Sequence, residues 1–121
     1  MSFIADELEP HIARSDGKAH CVALVRAGTG APHTSQWRRG QQVRGNNVPW
    51  GTAIATFDPD GKYGNHTDGR SHAAILIKEQ PDGLLVLDQW IGRVASRRVI
   101  RFKNGAGPAV DDGDQYHVIE T

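Results

Sequence analysis

The chain has 121 residues, a length that fits one compact domain spanning residues 1–121. Its 14 basic and 14 acidic side chains balance, so the basic surplus of a nucleic-acid binder is missing. No window approaches a membrane span, and a single cysteine rules out an internal disulfide.

Reading from the N-terminus, Phe3, Ile4, Leu8 and Ile12 fall at roughly helical spacing. Ser2 is available as a cap, and Pro10 weakens the later part. Residues 1–9 lack a basic start, and their carboxylates interrupt any apolar stretch, so they do not read as a secretory signal. A protein of this kind acting outside the cytoplasm would need a signal-independent route. Ser15-Asp16-Gly17-Lys18 is a turn into a second helix that begins at Cys21, runs to about Arg26 and stops at Gly28 or Gly30. Val22–Val25 is apolar all round, which predicts burial against a sheet.

Thr34 or Ser35 caps a short helix through Trp37-Arg38-Arg39, ended by Gly40, and Gly45–Pro49 is a loop. Strands are expected at Thr52–Phe57, Ser71–Lys78, Leu84–Trp90, Arg97–Phe102 and Gln115–Glu120. Turns at Asp58–Gly61 and Pro81–Gly83 and loops at Lys62–Arg70 and Asn104–Asp114 separate them. Helices first and strands after indicate an α+β domain whose N-terminal helices pack on an antiparallel sheet.

Cys21, His72 and Asp88 stand out chemically. A thiol at a helix start is stabilised as the thiolate by unpaired N–H groups and the helix dipole. A cysteine nucleophile needs a base, and the base needs a partner that fixes its orientation. His72 opens one strand of the expected hairpin and Asp88 lies near the end of the other, so the two can be neighbours across it. The Cys21 N–H, at the helix start, suits a developing oxyanion. Each residue also has an ordinary reading: a buried inert thiol, a hydrogen-bonded strand-end histidine, a solvated carboxylate.

The pattern resembles the papain-like cysteine peptidases of the NlpC and CHAP kind. The matching segments are Cys21–Val25, Ser71–Leu76 and Val86–Trp90. Longer stretches, Ala31–Trp37, Gly51–Phe57, Leu87–Trp90 and Gly113–Glu120, resemble a small bacterial family similar to the type VI secretion amidase effectors. The resemblance implies a papain-like NlpC/CHAP-type fold without a cofactor, with Cys21 as nucleophile, His72 as base and Asp88 as the third member. It implies hydrolysis of peptidoglycan peptides, at either the D-Glu–diaminopimelate bond or the D-Ala–diaminopimelate crosslink. The short chain resembles the third amidase group and so favours the crosslink. It further implies delivery into the periplasm of a rival cell and an immunity protein in the producer. His20, just before the cysteine, departs from the small or neutral residue expected there.

Trp37 and Trp90 are candidates to line a substrate groove, with a place in the core as the alternative. Tyr63 and His66 lie in the loop before His72, where binding residues concentrate. A rival reading takes His66, Asp68 and His72 as ligands of a hydrolytic metal, although their spacing matches no defined metal motif. A second rival is a non-catalytic cell-wall binding module. The basic run Arg97-Arg98 with Arg101 reads as the solvent face of a strand.

Overall fold

A computed structural model describes residues 2–121. Helix α1 (Glu9–Arg14) and helix α2 (Cys21–Thr29) precede a sheet of β1 (Arg38–Gln42), β2 (Ala53–Thr56), β3 (Ala73–Gln80), β4 (Gly83–Trp90), β5 (Arg93–Arg101) and β6 (Tyr116–Glu120). The strands lie in the order β1-β6-β2-β3-β4-β5, every neighbouring pair antiparallel. This is the expected α+β arrangement, with helices against one face of an antiparallel sheet.

The central strands are buried on both faces because their apolar residues run without polar interruption. Ala73 and Ile75 of β3 pack with Leu24 and Val25 of α2, Trp37 and Leu87. Ala74 and Leu76 point the other way, toward Ile54, Val86, Ile100 and Tyr116. Helix α2 can approach this closely because Gly28 has no side chain: a Cβ there would come within 2.8 Å of Ile75 Cδ1. The helix ends at Gly30, whose φ of +78° is the left-handed conformation of a C-cap, and its N–H donates to Arg26 O at 3.0 Å.

Three local expectations change. The first helix covers only Glu9–Arg14, not residues 3–13. Pro10 sits in its first turn, where no intrahelical N–H is needed, so the proline starts the helix instead of weakening it. Ahead of it, Ile4 bridges Thr52 at the sheet. The helix expected through Arg39 is a single 3-10 turn, Thr34–Gln36, capped by the His33 ring, and Arg38–Gln42 is an edge strand paired with β6. Its residues are charged or polar because an edge strand with one exposed side must resist further pairing. Strand β5 starts at Arg93, four residues before the expected Arg97, because Ile91-Gly92 alone makes the turn, with Gly92 at φ +98°.

Candidate active site

Cys21 is the first residue of α2, so its N–H has no partner within the helix. The preceding His20 is extended and exposed, and its side chain does not cap the helix. The departure noted at this position therefore places an exposed imidazole beside the helix start without a capping bond to it. Gln89 fixes that start from the sheet: its Nε2 donates to His20 O at 3.0 Å, while its Oε1 accepts from Ser15 Oγ at 2.9 Å.

Alternation along β4 turns Leu87 and Gln89 toward α2 and Asp88 toward the opposite face, with Arg98. His72 stands just before β3, at the end of the sheet, where it reaches both faces. Its Nε2 meets Asp88 Oδ2 at 2.8 Å, which leaves the other ring nitrogen free of that carboxylate, and the ring lies close enough to the Cys21 thiol to interact with it electrostatically. The two are neighbours across the hairpin, as expected. Their register is diagonal, since Ile75 lies opposite Leu87 and one extra residue near Ile77 shifts the pairing toward the turn.

Asp88 is completely buried and holds more than the histidine. Arg93 Nη1 donates to its Oδ1 at 2.8 Å and Arg98 Nε to its Oδ2 at 2.8 Å. Burial alone would raise the Asp88 carboxyl, but His72, Arg98 and Arg93 together hold it below the usual carboxylate range. Burial would likewise lower His72, and the Asp88 carboxylate with the Cys21 sulfur instead raises it to about 9. The Cys21 thiol is pushed up by burial and pulled down by His72, the Ala73 N–H and the Tyr63 hydroxyl, and the downward pull prevails. Both directions favour a thiolate–imidazolium pair, the form in which cysteine attacks a carbonyl.

Tyr63, expected as a substrate-binding residue of the loop before His72, is instead buried beside the thiol. It is only 7% exposed, packs on Trp37 with ring centroids 4.9 Å apart, and sets its hydroxyl 3.9 Å from Cys21 Sγ. Burial and then the neighbouring sulfur push its phenol far above the ordinary value, so it remains a hydrogen-bond donor. Trp37 corrects the expectation of a groove residue: it is 0% exposed, with its indole N–H donating to Pro32 O at 2.9 Å. A ring sealed in the core cannot touch substrate.

Trp90 and His66 do reach open space. With Ser71, His72, Arg98 and Asp111 they border a cavity of about 270 Å³. Trp90 is 41% exposed, stands edge-on to the His72 ring at 6.1 Å, and carries Arg93 over its face at 4.4 Å. His66 Nε2 pairs with Asp58 Oδ2 at 2.8 Å.

The structure does not bring His66, Asp68 and His72 together as a ligand set. Each is engaged elsewhere: His66 with Asp58, Asp68 with Arg70 at 2.9 Å, and His72 with Asp88. Among the described residues no group of three His, Cys, Asp or Glu side chains is arranged to hold a metal ion. No described helix is long and apolar enough to cross a membrane.

Arg98 also corrects the reading of a purely solvated basic face. Arg97 and Arg101 do face outward, pairing with Glu9 and Asp82. Arg98 shares its parity with the buried Ile100, two residues on, and that period was the signal that it points inward. Arg93 and Gln89 gave no comparable signal.

Comparison with known proteins agrees with this geometry. A family model described as domesticated amidase effector 2 matches residues 7–119. A domesticated amidase effector 2 from Ixodes scapularis is 40% identical over 109 residues, which is 85% of this chain and 72% of that protein. A type VI secretion amidase effector 2 protein from Salmonella typhi is 40% identical over 80 residues, 65% of this chain and 59% of that one. Among solved structures, a type 6 secretion amidase effector 2 superposes with a TM-score of 0.77 at 28% identity, covering 98% of this chain and 94% of that one. These matches confirm the papain-like amidase-effector resemblance and correct its group, which is the second and not the third. With nearly the whole chain matched, the protein belongs to the domesticated amidase effector 2 family of papain-like amidases.

Proposed function

We propose that residues 1–121 work as one cysteine amidase domain that hydrolyses peptide amide bonds of peptidoglycan, with Cys21, His72 and Asp88 as its catalytic members. The observation that carries this reading is the buried His72–Asp88 pair, with the Cys21 thiol at the start of α2 within electrostatic reach of the same imidazole.

The Cys21 thiolate adds to the substrate carbonyl carbon, and the oxyanion forms beside the unpaired N–H at the start of α2. The His72 imidazolium gives its proton to the amide nitrogen, the C–N bond breaks, and the amine leaves. Water then attacks the thioester while His72 takes its proton. The C–S bond breaks, releasing the carboxylic acid and restoring the thiolate–imidazolium pair. Asp88 keeps the ring oriented and supports its charged form. No metal or cofactor enters any step.

The relatives' names support secretion as an antibacterial effector. We place its working site in the periplasm of a target cell after type VI delivery, with an immunity protein guarding the producer. The bond cut is the D-Glu–diaminopimelate or the D-Ala–diaminopimelate amide. Digestion of purified muropeptides, followed by mass spectrometry, tests the reading. The parent is expected to release cleaved peptides and Cys21→Ala to leave them whole. Equal cleavage by both would remove Cys21 from the reaction. If neither cleaves and both bind alike, the protein is a binding module. Loss of the parent's activity on chelation would revive the metal reading.

A further inference from the structure

The cavity beside His72 has a chemical sidedness that identifies what enters it. Its wall includes His72 but not Cys21. In an acyl transfer the carbonyl carbon must sit at the sulfur, and the nitrogen that becomes the leaving amine must sit within hydrogen-bond reach of the histidine. A cavity walled by the histidine and not by the sulfur fits the amine side of the scissile bond.

Its charged lining is unequal in reach. Arg98 uses Nε on Asp88 Oδ2, and among the described residues its two Nη nitrogens have no hydrogen-bond partner, although the side chain is 26% exposed. Arg98 borders the cavity next to Trp90, whose ring centroid is 5.1 Å from the guanidinium carbon. A guanidinium whose two Nη groups are free along one edge matches a carboxylate in a forked, two-bond contact. Asp111 shares the lining. Its position is fixed on both sides: Val110 O accepts from the Tyr116 hydroxyl at 2.8 Å, and the fully buried Asp112 gathers the N–H groups of Lys103, Gly105 and Asp114. A fixed carboxylate there repels a second negative charge, so the cavity suits a ligand with one carboxylate and no more. His66, the remaining titratable group of the wall, is held by Asp58.

We infer that this cavity receives the substrate residue that carries the scissile nitrogen, and that Arg98 selects for a free carboxylate on that residue. The inference rests on the amidase reading and deepens it. Arg93 provides the control, because it also donates to Asp88 but does not border the cavity.

The test uses two synthetic crosslinked muropeptide substrates. They differ only in whether the carboxylate of the residue bearing the scissile nitrogen is free or a primary amide. The parent is expected to favour the free acid by about tenfold or more in kcat/KM, as one charge-assisted contact allows. Arg98→Gln should bring that ratio close to one, while Arg93→Gln keeps it, even though both substitutions slow the reaction through Asp88. A parent without preference, an Arg98→Gln protein that retains it, or an Arg93→Gln protein that loses it as fully would each overturn the assignment. A parent that cleaves neither substrate would overturn the amidase reading and this one with it.

Discussion

Replacing Asp88 by Asn tests whether one carboxylate sets the ionisation of the whole site. The substitution keeps the shape and removes the charge. A carboxylate and an imidazolium about 4 Å apart attract by about 4 kcal/mol at the effective dielectric of a partly buried site. The rise of His72 from 6.5 to about 9 corresponds to about 3 kcal/mol, the same order. In the variant, burial and the two released arginines both act to lower His72. The pair should then shift toward neutral thiol and neutral imidazole. A loss of about 3 kcal/mol in transition-state stabilisation is a fall of about 100-fold in kcat/KM. The parent's pH profile should be a bell, its acid limb set by the lowered Cys21 thiol and its alkaline limb by His72 at about 9. In Asp88→Asn the alkaline limb should move down. Iodoacetamide alkylation supplies an independent readout, because the chain's one cysteine makes every labelling event report Cys21. The change leaves Arg93 and Arg98 unpaired and costs about 3–5 kcal/mol of stability, so both assays belong at a temperature where circular dichroism shows the variant folded. An alkaline limb still near its parental position, with unchanged alkylation at neutral pH, would refute the argument.

Three other outcomes follow from the same contacts. Asp88 has a lowered folded-state pKa, so its stabilising contribution is present above its ordinary 3.8 and lost as pH falls through the folded value. Acid unfolding followed by circular dichroism should therefore be steeper for the parent than for Asp88→Asn. Tyr63→Phe keeps the ring packed on Trp37 and removes the hydroxyl beside the sulfur. Alkylation of Cys21 near pH 6 should slow several-fold while stability changes by about 1 kcal/mol or less, and an unaltered alkylation profile would take the hydroxyl out of the site. Trp37→Ala should lose about 3–5 kcal/mol in urea unfolding, as a large core deletion does. Trp90→Ala, at a half-exposed position, should lose far less stability and show its effect in KM; the reverse order would contradict the burial of the two rings.

The proposed catalytic thiol and its His72–Asp88 pair were legible because each needed only local information. Cys21 precedes an apolar run, and His72 and Asp88 sit at matching ends of one hairpin, where polar residues interrupt apolar strands. The supporting residues needed contacts between distant segments. Tyr63 reads as loop until the fold presses its ring onto Trp37. Arg93 joins Asp88 only because the turn at Ile91-Gly92 is two residues long. Trp37 looked like a groove residue because an aromatic among polar neighbours gives no sign of which segments will close over it. Strand β1 escaped notice for a related reason: Arg38–Gln42 has no apolar period, and only its pairing with β6 makes it a strand.

The placement of β6 between β1 and β2 has a consequence for biosynthesis. The ribosome must release the segment around residues 116–120 before the gap between β1 and β2 can be filled. Loss of those few residues would split the sheet internally and leave two hydrogen-bonding edges open, a far worse lesion than trimming an outer strand. A nascent chain that still lacks this segment holds its cysteine, histidine and aspartate on an unfinished scaffold, and hydrolytic capacity should arise abruptly once β6 has paired on both sides.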